Sequence, residues 1–252
     1  MTGTQATPPF RLAYVPGVTP GKWARTWTER LPDVPLDLLS VSVNEAIEAL
    51  HGGTADAALV RLPIDRTGLS AIPLYTETSV VVVPKDHEVS AVDEVSLKDL
   101  DDYIVLHPLD DSLEWESLPG LPAMERPATV ADAIELVAAG VGLLVVPQSL
   151  ARLHHRKDLT YRPLADAPQS RVALSWPEAQ TTDLMEEFIG IVRGRTVNSS
   201  RGRTSTTPAA QAKPQRNSSG SSTGKKSTPG KSGSGNSGGT QNAKRGKPRR
   251  KA

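Results

Sequence analysis

The sequence predicts an α/β body of roughly 193 residues followed by a basic segment that lacks a core of its own, and three observations carry that reading. Residues 1–193 alternate short apolar, β-branched runs with stretches of helical periodicity, the pattern of a mostly parallel sheet covered by helices. The same residues hold all 28 Asp and Glu against 15 Lys and Arg, a formal charge of −13, whereas the remainder holds 14 Lys and Arg and no acid. From Gly194 onward there is no apolar periodicity that could offset the entropy of ordering, which predicts a disordered basic tail over 194–252.

The elements follow in chain order. Leu12-Ala13-Tyr14-Val15, closed by Pro16-Gly17, reads as a buried strand and turn. Thr19 is placed to cap a helix with Pro20 at its first position and Trp23, Trp27 and Leu31 on one face, which packs the helix onto the sheet. Leu36 to Val41 is a second strand. Ser42 and Glu45 have capping-box spacing for a helix through Leu50 that Gly52-Gly53 stops, and Ala57 to Leu62 is a third strand. Strands over Ile72 to Tyr75 and Ser79 to Val83 come next, then a charged loop at Lys85-Asp86-His87-Glu88. The pattern restarts with a short helix at Ser96 to Leu100 and a strand at Tyr103 to Leu106. Thr129 and Asp132 cap a helix that closes at Gly140. Gly142 to Val146, Tyr161 to Leu164 and Val172 to Trp176 are further strands, and Thr182 to Val192 is the last helix, with Leu184, Phe188 and Ile191 on one face.

Several function classes fall away. Without Cys there is no disulfide, thiolate-metal site or Cys nucleophile. Met1 to Pro9 has neither a basic region nor an apolar run, so no secretory signal is expected there, and the apolar run Val80 to Val83 is far below the ~20 residues of a spanning helix. A cytoplasmic protein without membrane contact is expected. No nucleophile elbow or phosphate-binding loop occurs, and Gly140-Val141-Gly142 lacks the rest of a dinucleotide fingerprint. The adjacent His154 and His155 would point to different sides of a helix, which disfavours a metal site. Neither an enzyme, a metal nor a cofactor is implied.

Taken together, Arg11 to Val15, Ala46 to Val60 (AIEALHGGTADAALV), Leu74 to Glu88 (LYTETSVVVVPKDHE) and Ala128 to Pro147 (ATVADAIELVAAGVGLLVVP) resemble the effector-binding (substrate-binding) domain of LysR-type transcriptional regulators, related to type 2 periplasmic binding proteins. The resemblance spans residues 10–193 and implies a two-lobed fold, with one lobe about 10–78 and 167–193 and the other about 79–166. It implies a cleft in which an effector biases conformation, and side-by-side pairing as a homodimer or with a related regulator. That family carries an N-terminal helix-turn-helix, whereas the first strand here begins near Arg11, so the resemblance covers no such DNA reader.

Within that implied fold, the helix ends at Thr19 and Thr129 face the cleft from opposite lobes, where free N–H groups and the helix dipole suit an anionic metabolite. Arg61, at the end of the third strand, is placed to hold a carboxylate, the alternative being a surface pair with Asp65 or Asp56. His107, ending its strand before Pro108, can reach the cleft or stand as a solvent-exposed loop residue. In the tail, Arg245-Gly246-Lys247-Pro248-Arg249, with Arg250 following, resembles the core of an A/T-hook, and its cations suit nonspecific or A/T-rich DNA. The expected function is a non-enzymatic, transcription-linked sensor of a small molecule. The alternative is a nucleic-acid-binding or dimerisation scaffold whose pocket is vestigial.

Overall fold

Two five-stranded sheets carry the chain. They belong to a computed structural model that describes residues 7–195. The basic segment from position 196 on, including Arg245, Lys247, Arg249 and Arg250, lies outside the described residues.

The first sheet grows outward from β1 (Phe10–Tyr14), which pairs in parallel with β2 (Leu36–Ser40) on one side and β3 (Ala57–Leu62) on the other. Parallel neighbours need crossovers, supplied by α1 (Gly21–Arg30) and α2 (Val43–His51). At α2 the predicted capping box forms: Glu45 N–H donates to Ser42 Oγ, and Ser42 N–H donates to Glu45 Oε2 at 2.8 Å. At α1 the expectation needs correction. The helix begins at Gly21, Pro20 holds the cap position, and no side chain caps it, so Thr19 stands one residue outside.

The sheet is also less parallel than the sequence suggests. Beyond β3 lie β10 (Ser170–Pro177) and then β4 (Leu69–Glu77), and β10 runs antiparallel to both neighbours. Strand β4 is nine residues long, extending well past the predicted Ile72 to Tyr75. Its polar Ser70 and Thr76 and its Pro73 obscure the strand pattern. An edge position tolerates them, and the register shift opposite Val172/Ala173 falls beside Pro73, which cannot donate to a ladder.

At Thr78 the chain leaves this sheet and enters β5 (Ser79–Pro84), the four-valine strand of the second sheet. Its order is β7 (Leu121–Pro122), β6 (Ile104–Leu106), β8 (Leu143–Pro147), β5 and β9 (Leu159–Pro163), with β5 antiparallel to both flanking strands. Helix α3 (Val130–Ala138) packs Val130, Ala133, Ile134 and Val137 against it, and a short α4 (Gln148–Leu153) follows β8 directly. The two-residue β7 and α4 were not foreseen, being too short to establish a period. After β9 the chain returns to the first sheet through β10 and ends in α5 (Asp183–Val192), capped by Thr182.

Each sheet has its own core. The largest buried side chain of the first is Trp27, stacked on Phe10 at 4.8 Å between ring centroids, with Phe188 of α5 against both. Its indole N–H donates to Val34 O at 2.9 Å, so the ring enters the core without an unpaired donor. This cluster ties the first helix to the last. Trp27→Ala is therefore expected to lower unfolding free energy by about 3–5 kcal/mol in urea titrations of the full chain, whereas Trp23→Ala, at a half-buried position, costs less.

Candidate functional site

Where the chain passes between the two sheets, a charged side chain is buried. Arg61, near the end of β3, is only 3% exposed. A guanidinium taken out of water must have its donors met and its charge balanced. Nη1 donates to Glu77 Oε2 and to Ser170 Oγ, both at 2.8 Å. Nη2 donates to Ser149 Oγ at 2.9 Å and to Pro16 O at 3.2 Å, and the Ser149 hydroxyl donates to Glu77 Oε2 at 2.8 Å. Glu77 is the last residue of β4 before the outgoing crossing, Ser170 is the first of β10 after the return, and Ser149 belongs to α4 beneath the second sheet. One guanidinium thus joins both crossings and, through α4, both lobes. Gly17 leaves room for it. With φ +82°, it sits where a Cβ would come within 2.6 Å of Ser149 Oγ and 2.9 Å of Arg61 Nη2.

The surface reading of Arg61 is therefore corrected. It is not a surface residue paired with Asp65 or Asp56, since Asp56 pairs with Arg11 at 2.7 Å. Nor is its charge uncommitted, because Glu77, 11% exposed at its side chain, already supplies a carboxylate. The β3 run AALV signals a buried strand, but nothing in it announces a partner sixteen residues away.

Beside this cluster lies a cavity of about 270 Å³ whose walls come from both lobes. Pro16, Val43 and Arg61 face Asp110, Ser112, Thr129, Val130, Ala131, Leu150, Leu153 and His154. Of the predicted site residues, Arg61 and Thr129 meet here. Thr19 lines a neighbouring groove with Tyr14, Gly17, Ser40 and Arg152, which shares Pro16 and Leu153 with the first. His107 is not among the residues lining either space. It is 7% exposed, with Nε2 3.3 Å from Pro119 O and its ring edge-on to Trp115, because the 108–126 excursion folds back over it. The choice between a cleft ligand and an exposed loop residue is thus replaced by a packed one.

The N-terminus of α3 is occupied by the protein's own acids. Thr129 Oγ1 accepts from Asp132 N–H at 3.1 Å and donates to Asp132 Oδ2 at 2.8 Å, closing the predicted capping box. Asp110 Oδ1 accepts from Val130 N–H at 2.8 Å. Burial, and then the neighbouring charges of Asp111 and Asp132, push the Asp110 carboxyl above the usual carboxylate range despite that hydrogen bond. Asp111, next to it, accepts from Leu113 N–H at 2.9 Å and from the Trp115 indole N–H at 2.8 Å. Ser112, between Asp111 and Leu113, presents a buried Oγ without a hydrogen-bond partner.

Two α/β lobes, joined by two crossings and enclosing a cavity built from both, define a two-lobed ligand-binding fold. The chain belongs to the family described as the LysR substrate binding domain, whose model matches residues 5–196. It is 30% identical over 156 residues to the "Probable hydrogen peroxide-inducible genes activator" of Mycobacterium leprae, an alignment covering 56% of this chain and 50% of that protein. The chain spans about half the length of the curated relatives it matches. Among solved structures it resembles the oxidized form of OxyR, with TM-score 0.62 and 18% identity over 75% of this chain and 94% of that one. It also resembles the BenM effector binding domain with its effector benzoate, with TM-score 0.62 and 21% identity over 75% of this chain and 92% of that one.

Two stability measurements probe this region. Arg61→Met leaves Glu77 without its cation and is expected to cost about 3–5 kcal/mol in chemical denaturation, while Ser149→Ala, which removes one shared hydroxyl, costs about 1 kcal/mol. The second concerns His107, whose burial holds the imidazole below its ordinary value of 6.5. The unfolded chain takes up that proton first as pH falls. The stability His107 contributes is therefore complete above pH 6.5 and is lost as pH drops through the lower, folded value. His107→Gln is expected to lose less stability than the parent between pH 7 and pH 5; equal slopes in thermal melts would contradict this.

Proposed function

We propose that residues 10–193 act as a non-enzymatic small-molecule sensor with a transcription-regulatory output, in which an effector occupies the cleft cavity and biases the separation of the lobes. The observation that carries this reading is the 270 Å³ cavity, whose walls are mostly apolar and drawn from both lobes, so that occupancy and lobe geometry are coupled. The residues proposed to contact effector are Thr129 and Arg61 on the cavity, with Thr19 in the adjoining groove. His107 acts only through the packing of the 108–126 excursion. A negatively charged effector, expected from the sequence, has weaker support here, because Glu77 and Asp110 already occupy the Arg61 guanidinium and the start of α3.

The signal is ligand occupancy rather than thiol oxidation. Some relatives are named for peroxide-inducible genes, but this sequence contains no cysteine and thiolate chemistry is not open to it. Absence of a helix long and apolar enough to cross a membrane among the described residues is compatible with a cytoplasmic site of action. DNA contact is assigned to the basic segment, through Arg245, Lys247, Arg249 and Arg250, or to a paired regulator subunit. The 14 cations of residues 194–252 favour a nonspecific, salt-sensitive attachment.

A thermal-shift screen of metabolites against the full chain and against Ala131→Trp, which fills the cavity from the first turn of α3, tests the reading. Effectors are expected to raise the melting temperature of the parent by a few degrees and to leave the variant unchanged. If no compound separates the two while DNA binding is lost on truncation at Gly194, the chain is instead a nucleic-acid-binding scaffold with a vestigial pocket.

A further inference from the structure

The polar groups around the cleft cavity are unequal in charge. Its buried cation, Arg61, is matched by Glu77 and spends both terminal nitrogens on protein acceptors. Asp110, by contrast, receives one backbone N–H at Oδ1, and its second oxygen adds an acceptor with no cation paired to it among the described salt bridges. Asp111 and Asp132 add negative potential nearby. Ser112 Oγ, buried and unpartnered on the same wall, is a hydroxyl waiting for a donor or an acceptor. His154, which follows α4, is a further polar residue of the wall. Val43, Val130, Leu150, Leu153 and Pro16 complete an apolar surround.

We infer that this cavity selects a small apolar molecule bearing a protonated amine, with the ammonium donating to Asp110 Oδ2 and Ser112 Oγ and the apolar part lying against Val130, Leu150 and Leu153. The inference rests on the cleft reading above and specifies the chemistry of its ligand. A carboxylate in the same place meets Asp110 at close range and displaces no bound anion except at the cost of exposing Arg61 or the α3 terminus to new partners. An ammonium gives the solvent-facing Asp110 carboxyl a charged donor and gives the buried Ser112 hydroxyl a hydrogen-bond partner.

The test compares three probes of one shape: benzylammonium, benzyl alcohol and benzoate, titrated calorimetrically into the full chain at pH 7.5. Benzylammonium is expected to bind about tenfold or more tightly than benzoate, with the alcohol between them. Asp110→Asn keeps the acceptor for Val130 N–H and should abolish the preference for the amine. Ser112→Ala should weaken the amine about three- to tenfold, and it remains informative if the first variant folds poorly. Ala131→Trp should remove binding of all three. Benzoate binding as tightly as the amine, or a preference that persists in Asp110→Asn, overturns the inference while leaving the cleft reading intact. Failure of all three probes to bind overturns both.

Discussion

A single buried arginine sets the conditions under which the rest of this structure can exist. Arg61 lies where two crossings, the first sheet and one helix of the second lobe meet, and a guanidinium in that position is tolerable only if its donors and its charge are met. Glu77 must therefore end β4 where it does, Ser170 must begin β10, Ser149 must sit in the first turn of α4 and Gly17 must lack a side chain. Removing any of these groups leaves a polar atom in a place water reaches poorly. The ion pair adds little net stability compared with an apolar packing of the same shape. What it does is tie the two crossings, α4 and the turn after β1 to one point.

The same cluster shapes the electrostatics of the cleft. By absorbing the charge of Glu77, Arg61 contributes no uncompensated positive field to the adjoining cavity, so the character of that space is decided on the opposite wall by Asp110 and its neighbours. The first turn of α3 follows the same rule. Its donors suit an anion, and anions occupy them, but those anions are Asp132 and Asp110 of the chain itself. A helix terminus read from sequence is a site for negative charge. Whether a ligand or the protein provides that charge depends on which loop folds over it.

Family membership and the likeness to OxyR and BenM domains place the fold firmly, but at 18–21% identity to those structures the shared scaffold does not carry over the chemistry of the site. The absence of cysteine separates this sequence from thiol-based oxidant sensing, whatever the names of its relatives. In this chain the cavity's walls belong to two separately packed lobes, an arrangement that follows from the two crossings between the sheets.

Sequence alone determined the α/β alternation, both capping boxes, the amphipathic faces of α1 and α5 and the family resemblance, because each depends on residues within one or two turns of each other. It placed Thr129 at the start of a helix correctly for the same reason, and it misjudged Thr19 by one residue because Pro20 can occupy a cap position as well as a first turn. Only the tertiary structure decided the rest: the antiparallel insertion of β10 beside β3, the burial of His107 beneath residues 108–126, and the separation of Thr19 from the cavity that Arg61 and Thr129 share. The pairings of Arg61 with Glu77 and of Asp110 with Val130 span sixteen and twenty positions. Side-chain periodicity reports which face of an element is buried, but not which distant charge will be waiting there.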